Sequence, residues 1–147
     1  MRAAQPADLP AIRGLLAASG RPGQDLTPAH LGSFWIQRDA AGLLGVAGLE
    51  AHGRAALVRS LAVRADGQGR GVGRALLAHA ESQAGALGVQ ALYLLTTTAE
   101  RVFAARGYTA TPPRGSGLSR LLEFILSNQE VWRGPAKVRA RALRPRT

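Results

Sequence analysis

Apolar residues recur along this chain in two rhythms, and the changes between them divide it into elements. Asp8-Leu9-Pro10-Ala11-Ile12-Arg13-Gly14-Leu15-Leu16 sets Ile12, Leu15 and Leu16 on one helical face, with Asp8 as N-cap and Pro10 tolerated in the first turn. Ser19-Gly20-Arg21-Pro22-Gly23 ends that helix, and Thr27 caps a second, short one that carries His30 and Leu31. Residues 34–38 read as a strand, Asp39-Ala40-Ala41-Gly42 as a hairpin turn, and residues 43–50 as the next strand. A period of two in that strand predicts Leu44, Val46, Gly48 and Glu50 on one face. Ala51-His52-Gly53-Arg54 turns the chain into a central strand, Leu57-Val58-Arg59-Ser60-Leu61-Ala62-Val63.

From Val72 the helical period returns, with Val72, Leu76, Leu77, Ala80, Ala84 and Leu87 on the apolar face and His79 turned to solvent. Residues 91–96 predict a buried strand. Thr97-Thr98-Ala99-Glu100 fits a capping box that opens a helix with Ala99, Val102, Phe103 and Arg106 on one side. Gly107 closes that helix and residues 108–111 predict another strand. Leu118, Leu121, Leu122 and Ile125 share a further helical face, and with Trp132 this face is a candidate homodimer contact. Residues 136–142 alternate apolar and basic, as a half-exposed edge strand does.

Length and composition narrow the class. At 147 residues the chain predicts one domain, 1–147, ending in a basic strand and tail over 133–147. It has no cysteine, hence no disulfide framework or thiolate site, and its three histidines lack metal-ligand spacing. No apolar run approaches a membrane span and Met1-Arg2-Ala3-Ala4-Gln5-Pro6 is not a signal peptide, so the expectation is a cytoplasmic protein without a membrane partner. The formal charge of +10 suggests nucleic acid until it is located. Arg133, Lys137, Arg139, Arg141, Arg144 and Arg146 lie in the tail; taking these six from the 19 basic residues leaves 13 against 9 acids. The body is only mildly basic and the tail has no interleaved aromatics, so nucleic acid is not the expected partner.

The chemistry concentrates between the central strand and the helix that follows it. Arg64-Ala65-Asp66-Gly67-Gln68-Gly69-Arg70-Gly71-Val72-Gly73-Arg74 is glycine-rich, basic and placed at a helix N-terminus, where bare amides and the helix dipole favour phosphate. A P-loop needs Gly-Lys-Ser/Thr where this chain has Gly73-Arg74-Ala75. The dinucleotide fingerprint needs a third glycine one residue later than Gly73. Gln68, Gly71 and Gly73 instead resemble the Q/R-x-x-G-x-G/A signature of the GNAT acetyltransferase superfamily.

Two further stretches extend the resemblance over residues 1 to about 111. Arg2-Ala3-Ala4, followed by Asp8-Leu9-Pro10, looks like the family's first strand and helix. The segment from Thr96 to Tyr108 is similar to N-x-x-A-x-x-x-Y-x-x-x-G-F: Ala99 and Gly107 match, while Thr96, Phe103 and Tyr108 replace Asn, Tyr and Phe. More narrowly, the central strand and the Thr-Thr-Thr-Ala-Glu-Arg run look like small GNAT proteins associated with arsenic resistance. The resemblance implies an α/β GNAT fold: a mixed central sheet with a splayed β4/β5 pair, flanked by helices.

It also implies transfer of an acetyl group from acetyl-CoA to a small-molecule amine. The cofactor's diphosphate is expected on Gln68, Gly69, Arg70, Gly71, Val72, Gly73 and Arg74, its pantetheine arm along the backbone of Leu61, Ala62 and Val63, and Thr96 and Phe103 beside it. Leu61 N–H is the expected oxyanion donor. Phe103 stands where the family often has an acidic tyrosine, and thiolate, the conjugate base of a thiol of pKa roughly 8.5, leaves tolerably without one. An acceptor ammonium must lose a proton before attack, and Glu50, at a strand end, is the candidate base. His30, Trp35 and Arg59 are candidate acceptor contacts. An aminoglycoside acceptor, or a CoA-binding regulatory module without turnover, are the competing readings; nine acids in so basic a chain argue mildly against a polycationic substrate.

Overall fold

A computed structural model describes residues 1–20, 23–52, 55–96 and 137–142. Its strands are β1 (Arg2–Ala3), β2 (Phe34–Asp39), β3 (Gly42–His52), β4 (Ala55–Val63), β5 (Ala91–Thr96) and β6 (Lys137–Ala142), and its α-helices are α1 (Leu9–Ala18) and α2 (Val72–Ala86). Among the described residues, hydrogen-bonded strand order follows chain order from β1 to β6. Pairing is antiparallel for β1–β2, β2–β3 and β5–β6, and parallel for β4–β5, so the sheet is mixed. The expected elements between 97 and 136, including Phe103 and Trp132, lie outside the described residues.

The chain forms two compact units, Met1–Leu49 with Arg59–Ala80, and Glu50–Val58 with Glu81–Thr147. In the first unit, the sheet has an apolar layer on each face. Ile12, Leu15 and Leu16 of α1, as expected, pack with Leu31, Phe34, Ile36, Val46 and Ala62. Leu44 and Ala47 pack with Val72 and Leu76 of α2, joined by Leu61 and Val63. Each fully buried Leu or Ile contributes about 1.5–3 kcal/mol. Gly45 lets α2 lie close to β3: a Cβ there would meet Leu76 Cδ1 at 2.7 Å and Val72 Cγ1 at 3.1 Å.

Two expectations change in this unit. Leu44 does not share a face with Val46, because the β2–β3 register shifts between Gln37, opposite Gly45, and Arg38, opposite Leu43. That bulge turns Leu44 to the α2 layer and leaves Leu43 against the α1 layer. Asp8 does not cap α1: it is itself helical, at φ −81° and ψ −12°. Its buried carboxylate accepts from the Gln5 amide at 2.8 Å and from both Arg2 Nη atoms at 3.0 Å, tying the preceding 3-10 turn to β1.

In the second unit, β4 pairs with β5 from Ala55 with Ala91 to Val58 with Leu94, where the ladder ends. β6 pairs with the whole of β5 and is last in the strand order among the described residues. Leu87, expected on the apolar face of α2, is 64% exposed. The helix stops at Ala86 because Gly88 takes φ +80°, and Val89 N–H and Gly88 N–H close on the Ala84 and Gly85 carbonyls at 3.0 and 3.1 Å. That is a Schellman end, and the hydrophobic residue it tucks in is Val89, only 4% exposed. Among the described residues no helix is long and apolar enough to cross a membrane.

Candidate active site

The second half of β4 carries the first part of the site. Ser60 has φ +58°, a left-handed conformation that an L-residue adopts only when its surroundings hold it there. The consequence shows in which way its neighbours face. Arg59 stands over the Phe34 ring, its Cζ 6.0 Å from the centroid, and Ala62 packs on the same α1 side. Leu61 and Val63 go to the α2 side. Strict alternation would have put Arg59 with Leu61; the left-handed residue between them breaks it and re-aims the strand.

Arg59 is almost fully buried and held from several directions. Its Nη1 and Nη2 reach the two carboxylate oxygens of Asp25 at 2.8 and 2.9 Å, and its Nε donates to Ser60 Oγ at 3.1 Å. Asp25 is in turn fixed by its loop, where Leu26 is wholly buried and Arg13 donates to the Leu26 carbonyl. Burial alone would raise the Asp25 carboxyl, but the Arg59 hydrogen bonds and charge outweigh it and hold it below the usual carboxylate range. Asp25 was not among the sequence candidates. Thirty-four positions separate it from Arg59, and no periodicity connects the two.

The phosphate loop follows directly. Arg64 leaves β4 with its amide on the Leu44 carbonyl at 2.8 Å, Ala65–Gly67 form a 3-10 turn, and α2 starts at Val72. Gly69 and Gly71 have φ +79° and +80°, with nothing within 4 Å of where a Cβ would stand. The backbone there is bare, and only glycine adopts it without strain. Gln68 N–H closes the 3-10 turn on the Ala65 carbonyl at 3.4 Å, and its side chain donates to the Val63 carbonyl at 3.3 Å. Gln68 thereby works as a bracket for the loop. Beyond it, the amides of residues 69–74 meet no backbone or side-chain acceptor among the described residues; the next bond is Ala75 N–H to the Gly71 carbonyl at 3.0 Å. Arg70 and Arg74 are exposed on either side.

Six consecutive amides at a helix N-terminus, flanked by two guanidinium groups, fit a diphosphate: they supply donors and positive potential, and leave no side chain in the way.

The remaining candidates are more scattered. Trp35 is on the α2 face of β2, opposite to Arg59, and meets His79 edge-on at 5.2 Å between ring centroids. The structure therefore does not bring Trp35 and Arg59 together. His79 is half-buried with its Nε2 enclosed, a correction to its expected place in solvent: α2 turns it inward against β2. His30 Nδ1 accepts from the Thr27 amide at 3.0 Å and lies 3.1 Å from Thr27 Oγ1, so Thr27 and His30 close the short turn as a capping box. Glu50 is half-buried on β3, two residues beyond Gly48. Thr96 ends β5, paired with Lys137; Phe103 lies outside the described residues.

Comparison with known proteins agrees with this geometry. A family model described as an acetyltransferase (GNAT) domain matches residues 30–110. Among solved structures, N-acetylglutamate synthase from Neisseria gonorrhoeae, complexed with coenzyme A and N-acetyl-glutamate, is 26% identical with a TM-score of 0.78. That match covers 97% of this chain and 34% of the synthase, so the chain spans about a third of it. Rv2747 from Mycobacterium tuberculosis, in complex with CoA and NLQ, has 21% identity and a TM-score of 0.79, covering 97% of this chain and 98% of that one. The ribosomal-protein-S18-alanine N-acetyltransferase of Escherichia coli has 18% identity and a TM-score of 0.65, covering 99% and 94%. No curated protein matches the chain. With strand, bulge, bare glycine loop and helix in this order, the chain belongs to the GNAT acetyltransferase family and has its fold.

Proposed function

We propose that this chain, as one domain over residues 1–147, moves the acetyl group to the amine of a small, amino-acid-like acceptor by direct attack on the thioester. The observation that carries the reading is the run of unclaimed amides at residues 69–74 between Arg70 and Arg74. These groups hold the diphosphate, and the backbone of Leu61, Ala62 and Val63 receives the pantetheine arm as an added strand. Bound acetyl-CoA supplies an acyl carbon with a thiolate leaving group. Leu61 N–H, directly after the left-handed Ser60, donates to the carbonyl oxygen as charge develops there. Glu50 accepts the acceptor's ammonium proton, which frees its lone pair. Arg59 and His30 are assigned to the acceptor side, and Trp35 to packing against His79.

An amino-acid-like acceptor is supported by the N-acetyl-glutamate bound in the gonococcal synthase. The narrower likeness to arsenic-resistance proteins adds arsenical and antibiotic amino-acid analogues to that class. The test is acetyl-CoA consumption, read as free thiol, over amino acids and such analogues, polyamines, aminoglycosides and peptide N-termini. Thiol release with the amino-acid class is expected. Binding of acetyl-CoA with no turnover on any amine would replace the enzyme by a CoA-binding module, and turnover confined to another class would replace the acceptor.

A further inference from the structure

Arg64 was not among the sequence candidates and has no part in the roles assigned above, yet it is the most heavily bonded side chain beside the loop. Its Nη1 and Nη2 meet Asp39 Oδ1 and Oδ2 at 3.0 and 2.6 Å, and its Nε and Nη2 meet Asp66 Oδ1 and Oδ2 at 2.6 and 3.2 Å. Nη1 also donates to the Leu43 carbonyl at 3.2 Å. One guanidinium thus spends its rigid fork on two carboxylates from different segments, the β2–β3 turn and the 3-10 turn that opens the glycine loop.

The placement has an electrostatic consequence. Asp39 and Asp66 put two negative charges next to a loop whose proposed ligand is an anion. Asp39's carboxyl is held below the usual range chiefly by its hydrogen bonds from Arg64, against a smaller opposing effect of desolvation, and Arg70's charge contributes as well. Left uncovered, the Asp39 and Asp66 carboxylates would set their negative potential against that ligand.

We infer that Arg64 is a positioning residue for cofactor binding: by engaging Asp39 and Asp66 it offsets their negative charge beside the anion-binding loop and ties the loop to the β2–β3 turn. The inference rests on the cofactor reading above and deepens it. A purely structural clamp and a charge shield make different predictions, because Asn at position 39 keeps the Oδ1 acceptor for the Ala41 amide (3.0 Å) while removing the charge.

The test is calorimetric titration of the full chain with acetyl-CoA for wild type, Arg64→Gln, Asp39→Asn and the double variant, with melting curves run alongside. Arg64→Gln is expected to weaken binding about fivefold at low salt, and less at high salt. Asp39→Asn in the Arg64→Gln background is expected to recover most of that loss, although it removes no clash and adds no bond. A double variant as weak as Arg64→Gln, or Arg64→Gln binding as tightly as wild type, would overturn the inference. If Arg64→Gln does not fold, Asp39→Asn alone decides: equal or tighter binding supports the shield and weaker binding refutes it. Failure of wild type itself to bind acetyl-CoA would instead overturn the cofactor reading.

Discussion

Asp25→Ala removes the two bonds that Asp25 makes to the Arg59 guanidinium, whose side chain is 2% exposed. Truncating one partner of a fully buried ion pair costs about 3–5 kcal/mol, mostly the charge left behind. Here the Asp25 side chain is 30% exposed and Arg59 keeps its bond to Ser60 together with further interactions, so the loss belongs at the lower end, about 2–4 kcal/mol. For a chain of this length a kcal/mol moves the melting temperature by about 4 °C, so a fall of about 8–16 °C is expected by circular dichroism at neutral pH. The pH dependence checks the cause. Asp25's carboxyl is lowered in the folded state, despite the opposing effect of burial, because Arg59 bonds and attracts its charged form. Its contribution is therefore present above the unfolded carboxylate pKa and is lost as pH falls through the folded value. The gap between wild type and Asp25→Ala should be full near neutrality and close in acid. A variant melting within about 2 °C of wild type at neutral pH, or a gap of the same size at every pH, would refute the pair as an anchor of β4.

Gly71→Ala forces a Cβ into a φ of +80°, at a cost of about 1–2 kcal/mol or a displaced loop, and should weaken acetyl-CoA binding. Gly73→Ala meets only Val63 Cγ2 at 3.5 Å, an ordinary contact, and should bind nearly as wild type; isothermal titration of both separates backbone conformation from mere crowding. Gly48→Ala drives a methyl into the Phe34 ring beneath it and should destabilise by about 1–3 kcal/mol in a denaturant melt. Glu50→Gln should lower kcat about 10²-fold with KM for acetyl-CoA unchanged, and an unaltered rate and pH profile would remove Glu50 as base.

The sequence carried the parts of this fold that are local. The α1 face, the β2–β3 turn and the glycine loop each rest on a few adjacent residues whose propensities and spacing agree, and all three appear where expected. What it did not carry depends on single-residue shifts or on distant partners. Leu44 reads as an inward residue by parity, and one extra residue opposite Gln37 and Arg38 suffices to reverse it. Leu87 continues the helical period on paper, but Gly88 ends the helix and Val89 takes the apolar position. Arg59 and Asp25 meet only because the loop after α1 folds back over β4. Arg64 looked like one of several loop arginines, and its distinction is two carboxylates that tertiary structure brings to it. The bare amides were legible as glycines, and their freedom from internal acceptors was not.

That freedom is the centre of the account, and amide chemical shifts measure it directly. A ¹⁵N–¹H titration of the full chain with coenzyme A should move the resonances of residues 69–74 downfield, as each N–H gains a phosphate oxygen, while the Ala75 amide, already bonded to the Gly71 carbonyl, moves little. Saturable binding that leaves the amides of residues 69–74 where they were, or no binding at all, would contradict it.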